Sequence, residues 1–129
     1  MKKIRYIKPS RVSEANVQAM LFMALYNNGI NCYLEYRMGK IKGRGCRVDI
    51  ALLDKHREYV IAIIECKSVK PARYAERKKS IEHTKQIKRY SEFGVPVLTC
   101  LCFNDIGVVV EDCKRILEEF EIQEFGRTL

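Results

Sequence analysis

The stretch VIAIIECKS, residues 60–68, ends the most apolar run in the chain. A short apolar run of this kind is typical of a buried strand. It closes, however, on a glutamate, a cysteine and a lysine in succession. Because side chains alternate along a strand, Glu65 and Lys67 face one side of the sheet while Cys66 faces the other. The stretch therefore predicts a buried strand that carries an acid and a base together at the lip of a sheet.

A second acid lies one strand earlier. CRVDIALLD (46–54) and YVIAIIECK (59–67) both have the composition of strands, and only the polar residues KHRE separate them. This spacing predicts an antiparallel hairpin that brings Asp49 to the same end of the sheet as Glu65. Two carboxylates there form a hard-oxygen site suited to Mg²⁺, and Lys67 beside them can hold an attacking water or stabilise charge on a phosphate.

The structural alternative is that Glu65 and Lys67 are an edge pair where the strand leaves the core. A single Glu-x-Lys would favour that interpretation. The second acid, Asp49, and the uniformly apolar surroundings weaken it, because charged groups are rarely placed beside a core without pairing or function.

Before the hairpin, Ser13 predicts the N-cap of a helix that stops at Asn28-Gly29. Its apolar face comprises Val17, Met20, Leu21, Ala24 and Leu25. INCYLEYR (30–37) then reads as a strand, and the glycine- and lysine-rich MGKIKGRG (38–45) as a turn or mobile loop.

After the hairpin, the chain is basic and irregular to about Arg77, and a helix is predicted over 78–93, ended by Gly94. VPVLTCLCF (95–103) is apolar enough to predict a strand buried on both faces. IGVVV (106–110) predicts either a short fifth strand or the approach to a last helix, 111–125. The inward residues of that helix are Cys113, Ile116, Leu117 and Phe120. The order predicts an α/β fold, α-β-β-β-α-β plus a C-terminal helix, with a mixed sheet flanked by helices.

The length and the charge of the chain limit the classes of function that it can have. The 129 residues suit a single domain, with residues 1–12 as a basic N-terminal arm. The net charge of +8 is concentrated in residues 1–12, 37–47 and 67–90, whereas residues 111–124 are acidic. Separate basic segments that converge in space are typical of a protein that binds a polyanion, and the alternative is a solvated basic surface.

Targeting and metal signals are few. No apolar stretch approaches the roughly 20 residues of a membrane span, and the basic N-terminus lacks a signal-peptide core, which predicts a cytoplasmic protein. The six cysteines show no C-x-x-C spacing and are expected to be reduced and mostly structural. His56 and His83 have no Cys or His partner at ligand spacing, so zinc is not expected.

Asp49 followed, after a hairpin, by Glu65-Cys66-Lys67 resembles the D…(D/E)-x-K signature of the PD-(D/E)XK nuclease superfamily. The superfamily includes restriction endonucleases, archaeal Holliday-junction resolvases, nuclease domains of type I restriction subunits and small phage nucleases. The resemblance spans roughly residues 13–103, since the element order is that of the family core. Val48 stands where the proline of the family name would be.

The resemblance implies roles for individual residues. Asp49 and Glu65 would bind metal, with the Cys66 carbonyl as a further ligand, and Lys67 would be the catalytic lysine. Glu14 matches an acid that many members carry on the first helix; it would face the sheet as a further metal ligand, or it would simply favour the helix dipole. Gln86, with Tyr90 one turn later, matches a catalytic Gln-aromatic pair, or is an ordinary flank residue. A weaker candidate for metal contact is Glu35, for which a solvated strand position is the alternative.

The expected function is that of a Mg²⁺-dependent deoxyribonuclease in which Mn²⁺ substitutes, with no small-molecule cofactor and no membrane. The basic residues that flank the site would contact phosphates: Arg44, Arg47, Lys70, Arg73, Arg77, Lys78 and Lys79. No recognition helix is apparent, so nonspecific or structure-specific cleavage of branched or single-stranded DNA is expected, from a homodimer or with a partner. The alternatives are a non-catalytic nucleic-acid-binding module and a basic protein–protein adaptor.

Overall fold

The computed structural model describes residues 2–10, 12–41, 43–68 and 88–125. Its elements are α1 (Glu14–Asn27), β1 (Cys32–Ile41), β2 (Arg44–Leu53), β3 (Val60–Cys66), β4 (Val97–Cys100) and α2 (Ile106–Phe125). Two short 3₁₀ turns, Ser91–Phe93 and Phe103–Asp105, flank β4. The fold is therefore α/β. No helix in the described ranges combines the length and apolarity needed to cross a bilayer.

The four strands form one mixed sheet in the order β1-β2-β3-β4. β1 pairs antiparallel with β2, β2 antiparallel with β3, and β3 parallel with β4. The predicted hairpin of β2 and β3 is confirmed. Its turn, between Leu53 and Val60, is closed by backbone hydrogen bonds that join Asp54 to Arg57 and Tyr59.

Of the two alternatives for residues 38–45, a turn or a mobile loop, the structure has a turn, and it is shorter than predicted. Both strands continue into it, so only residues 42–43 separate β1 from β2. Glycines make this possible: Gly43 has φ +79° at the turn, and Gly39 has φ +102° where the register shifts between Arg37 and Gly39. These conformations suit glycine, so a glycine-rich composition here supports a bulged hairpin rather than a loop.

Helix α1 begins and ends where the sequence predicts. The Asn16 N–H donates to the Ser13 side-chain oxygen at 3.2 Å, and the chain turns at Gly29 with φ +71°. Val17, Leu21 and Leu25 are buried and Ala24 is half-buried, as expected. Met20 is 47% exposed, contrary to the prediction, because the buried stripe is narrower than the apolar content of the helix.

The last strand, β4, is shorter than predicted and, among the strands that the structure describes, it lies at the edge of the sheet. Val97, Leu98 and Thr99 are half-buried, so the prediction of burial on both faces is wrong: an edge strand lacks a neighbour on one side. The chain leaves the sheet after Cys100 because the Asp105 carboxylate accepts the Leu101 N–H at 2.8 Å. Residues 106–110 are the first residues of α2, so the alternative of a fifth strand is wrong.

Two apolar cores lie on opposite faces of the sheet. The helix-side core comprises Val17, Leu21, Leu25, Ile30, Cys32, Ile50, Leu52, Ile61, Ala62, Ile64, Cys66, Cys100, Val109, Val110, Cys113 and Ile116. The Tyr90-side core comprises Cys46, Val48, Ala51, Ile63 and Tyr90. All six cysteines are free, and only Cys102 is not buried.

Of the predicted helix over 78–93, the structure describes only its end. Residues 88–90 are helical, the 3₁₀ turn Ser91–Phe93 follows, and Gly94 with φ +75° ends it as predicted. The remainder, with Gln86 and His83, lies outside the described residues.

Candidate active site

The β2–β3 ladder ends at the pair Ile50 and Ile64, one residue before Asp49 and Glu65. Beyond that point each carboxylate accepts a backbone N–H from the other strand. The Cys66 N–H donates to Asp49 Oδ2 at 2.7 Å, and the Asp49 N–H donates to Glu65 Oε2 at 3.2 Å. Side chains thus replace the backbone bonds that would continue the ladder, and they hold the two carboxylates together where the strands separate.

In the β1–β2 hairpin, the apolar side chains before and after this point lie on opposite sides of the sheet. Cys32, Leu34, Ile50 and Leu52 belong to or pack against the helix-side core, whereas Tyr36, Met38, Cys46 and Val48 belong to or pack against the Tyr90-side core. Residues two apart in a regular strand share a face, so both strands depart from the pleat between these groups.

A residue with a left-handed backbone conformation lies where the apolar side chains switch to the other side of the sheet. Glu35 has φ +51°, and the register that flanks it places it opposite Asp49. This conformation costs a non-glycine residue about 1 kcal/mol or more. Glu35 is exposed and forms an ion pair with Arg47, Oε2 to Nε 3.3 Å. It therefore occupies the solvated strand position that was the alternative to a metal contact.

Glu65 is only 3% exposed. Burial, followed by the hydrogen bond and the negative charge of Asp49, raises the pKa of Glu65 from 4.5 to about 8, while hydrogen bonds from the Tyr90 side chain and the Asp49 N–H oppose the rise. A buried carboxylate with incompletely compensated charge destabilises the fold. Such perturbed groups cluster at functional sites, which makes this pair the candidate site.

Cys66 belongs to the helix-side core, as the alternation predicts. Burial, the neighbouring Cys100, and then the charges of Asp49, Glu65 and Glu14 raise the pKa of its thiol. Because the Cys66 side chain lies on the face opposite to that of Glu65, its backbone carbonyl remains the predicted ligand. Glu14 is exposed in the first turn of α1, and its charge acts on the Cys66 thiol. That it faces the sheet stays a prediction.

Lys67 follows β3 directly and is half-buried. Its backbone N–H donates to the Cys100 carbonyl at 2.9 Å, which extends the β3–β4 pairing by one residue and fixes the lysine backbone beside the two carboxylates. The Lys67 ammonium forms no ion pair with any residue in the described part of the chain.

The donor set fits Mg²⁺ better than zinc. Among the residues that the structure describes, no group of three or more His, Cys, Asp or Glu side chains is arranged to hold a metal ion. Asp49 and Glu65 supply two carboxylates, and Mg²⁺ typically takes one or two carboxylates and completes its shell with waters and phosphate oxygens. The raised pKa of Glu65 is also a sign of the negative charge that a divalent cation would neutralise.

The charges are distributed unequally between the two ends of the sheet. β2 pairs with β3 only from Ile50 to Leu53, so the outer part of the β1–β2 hairpin extends past the site. That overhang carries the exposed cations Arg37, Lys40, Arg44 and Arg47. The acidic half of α2 lies at the other end, where Lys55 Nζ is 3.9 Å from Glu121 Oε1.

Two residues near the hairpin were not identified as central from the sequence. Tyr90 was named only as the aromatic partner of Gln86, yet its side chain reaches Glu65. Asp54 was assigned to a strand end, yet it is a second buried acid that organises the hairpin turn. The signal for Asp54 was its position immediately before a polar turn, where aspartate accepts N–H groups from the following residues.

Comparison of the chain with protein-family models, with curated proteins and with solved structures found no match. The geometry around Asp49, Glu65 and Lys67 therefore provides the evidence for function. Gln86, the fourth predicted catalytic residue, lies outside the described residues.

Proposed function

We propose that the chain is a Mg²⁺-dependent deoxyribonuclease with a restriction-endonuclease-like core of the PD-(D/E)XK type. One observation carries the proposal: Asp49 and Glu65 each accept a backbone N–H from the strand of the other, where β2 and β3 separate. Lys67 follows two residues after Glu65. Two carboxylates and a lysine at one opening of a sheet are the groups that metal-assisted phosphodiester hydrolysis needs.

In this proposal, Asp49, Glu65 and the Cys66 carbonyl hold the cation, and Mn²⁺ substitutes for Mg²⁺. The cation supplies Lewis-acid stabilisation of the phosphate charge. Lys67 orients the attacking water or stabilises charge on the phosphate. Tyr90 holds the Glu65 carboxylate in place through its hydrogen bond. Glu14 and Gln86 act as supporting groups.

The substrate follows from the charge at this end of the molecule. The hairpin overhang presents Arg37, Lys40, Arg44 and Arg47 beside the site, and cations of this kind contact phosphates without reading bases. The proposed activity is therefore nonspecific or directed by DNA structure. A homodimer would supply two sites for the two strands of a branched substrate.

Cleavage of a labelled panel tests the proposal. Linear duplex, single strand, flap and four-way junction are each incubated with Mg²⁺, Mn²⁺ or EDTA. The proposal expects metal-dependent cutting that is lost in Asp49→Asn and in Lys67→Ala. Lys55→Ala is the matched control, because this exposed side chain lies at the turn end of the hairpin, away from the site.

Two other results would replace the proposal. Wild-type protein that binds these DNAs but never cuts them is the non-catalytic nucleic-acid-binding module, which the basic overhang alone would support. Protein that neither binds nor cuts is better explained as a basic adaptor for an acidic protein. Cutting that survives equally in Asp49→Asn points to a contaminating nuclease.

A further inference from the structure

The N-terminal arm, residues 2–10, combines cations with large apolar side chains and contacts little of the domain. It contains neither helix nor strand, and all nine residues are exposed. Ile4, Tyr6 and Ile7 are 92%, 78% and 82% exposed. The arm cations are Lys2, Lys3, Arg5 and Lys8. None of them forms an ion pair with any residue that the structure describes.

The root of the arm is fixed beside the candidate site. The Ser68 hydroxyl donates to the Val12 carbonyl, and Ser68 directly follows Lys67. Val12 also packs against the helix-side core, and Ser13 caps α1 immediately after it. Residue 10, the last residue of the arm, therefore lies two residues before Val12, whose contact with Ser68 holds this part of the chain next to Lys67.

The acidic surface of the same chain is a poor partner for the arm. The acids in the middle of α2 are paired within that helix: Lys114 with Glu111 at 3.2 Å, and Arg115 with Asp112 at 3.1 Å. The acidic end of α2 lies at the hairpin turn, the opposite end of the sheet from Ser68. Nine residues span about 30 Å at most, so the arm is long enough to contact a ligand bound at the site end.

We propose that residues 2–10 clamp a nucleic acid as it enters the site. This inference rests on the proposed function. The four cations neutralise successive phosphates, and the Tyr6 ring stacks on an unpaired base next to Arg5. Bases that are free to stack occur in single strands and at branch points, whereas duplex bases are already stacked. The arm therefore favours substrates that have a single-stranded portion.

The test measures binding by fluorescence anisotropy between 50 and 200 mM salt, in the inactive Asp49→Asn background. The ligands are a labelled single strand and a duplex of equal length. The arm variant is K2Q/K3Q/R5Q/K8Q. Its matched control removes four exposed cations away from the site, K55Q/R57Q/K114Q/R115Q.

Loss of four phosphate contacts should reduce the slope of log affinity against log salt by about 3, because each contact contributes about 0.7 to 0.9. The control should change the slope by less than about 1. Tyr6→Ala should weaken single-strand binding about tenfold and leave duplex binding nearly unchanged.

An unchanged slope in the arm variant overturns the clamp, and if wild-type protein still cuts DNA in a metal-dependent manner the proposed function stands. Equal weakening of both ligands by Tyr6→Ala overturns the stacking role. A shift in sedimentation of the arm variant without a change in affinity would assign the arm to a second copy of the chain and overturn the clamp. Wild-type protein that neither binds nor cuts overturns the proposed function itself.

Discussion

The β2–β3 hairpin holds a buried carboxylate at each of its two ends, and the two have opposite pKa shifts. Asp54 is 2% exposed and Glu65 is 3% exposed. At the turn end, burial favours a higher pKa for Asp54, but N–H donors from Tyr59, Glu58 and His56 outweigh it and hold the pKa below 3.8. At the open end, burial and the charge of Asp49 raise the pKa of Glu65 to about 8.

The contrast shows that burial alone does not mark a functional acid. The Asp54 charge is compensated by backbone donors at 2.7 Å from Glu58 and Tyr59, so its role is to close the turn. Glu65 shares its end of the hairpin with a second acid, and its donors only partly offset the two charges. An acid whose charge still favours a cation is the better candidate for metal binding.

The largest difference between the two ends should appear in activity. Glu65→Gln keeps the shape and the hydrogen-bond acceptor but removes the charge, so cleavage should fall about 10³-fold, or about 4 kcal/mol of transition-state stabilisation. Asp54→Asn should leave the activity of folded protein within a few-fold. Initial cleavage rates at matched folded concentration measure both, and equal losses in the two variants would remove the distinction.

The next largest difference should appear in stability. Asp54→Ala leaves the N–H groups of His56, Glu58 and Tyr59 without their acceptor, so the free energy of unfolding should fall by about 3 kcal/mol. Urea denaturation at neutral pH measures it, with Asp54→Asn as the milder control. A loss under about 1 kcal/mol would mean that the turn does not depend on Asp54.

Metal ions should distinguish the two ends as well. Mg²⁺ at 100 times its Kd should stabilise the wild type by about 2.7 kcal/mol, because it binds only the folded state. Asp54→Asn should retain most of this gain and Glu65→Gln should lose it. Thermal unfolding with and without Mg²⁺ gives the comparison, and Ca²⁺-free EDTA buffer provides the baseline. An equal gain in Glu65→Gln would place the cation elsewhere.

The two acids should give stability profiles of opposite sign against pH. Because the folded pKa of Asp54 is lowered, its contribution is present above 3.8 and is lost as the pH falls through the folded value. Because the folded pKa of Glu65 is raised, its contribution is complete below 4.5 and is lost as the pH rises through about 8, at up to about 1.4 kcal/mol per pH unit. Metal-free denaturation from about pH 2 to pH 9 measures both slopes.

Each slope has its own control variant. Asp54→Asn should flatten the acid side of the profile, and Glu65→Gln should flatten the fall between pH 5 and 8. A wild-type profile that instead rises steadily through neutral pH would contradict the assignment of Glu65.

The smallest expected effect concerns Tyr90, which donates to the open-end pair. Tyr90→Phe keeps the buried ring in the Tyr90-side core and removes one hydrogen bond to Glu65, so stability should change by no more than about 1 kcal/mol. The decline of stability with pH should extend to higher pH, because loss of this donor raises the folded pKa of Glu65 further. Tyr33→Phe, at an exposed position, should change neither the stability nor its dependence on pH.

Local signals in the sequence predicted much of the chain correctly. Ser13 as N-cap, the stop at Asn28-Gly29, the hairpin around residues 55–58 and the stop at Gly94 are all present. Each depends on a few neighbouring residues whose φ preference or hydrogen-bonding capacity acts locally. The prediction that Asp49 meets Glu65 succeeded for the same reason, since a short turn sets the register of a hairpin.

The sequence by itself therefore determined the helix ends, the hairpin and the pairing of its two acids, because short-range geometry specifies them. Tertiary structure decided how far β1 and β2 extend, the change of faces at Glu35 and Asp49, the edge position of β4 and the exposure of Glu14. It also decided which buried acid keeps a compensated charge. These features depend on which strands and helices meet in space, and burial and donors supplied by distant residues are absent from any local pattern.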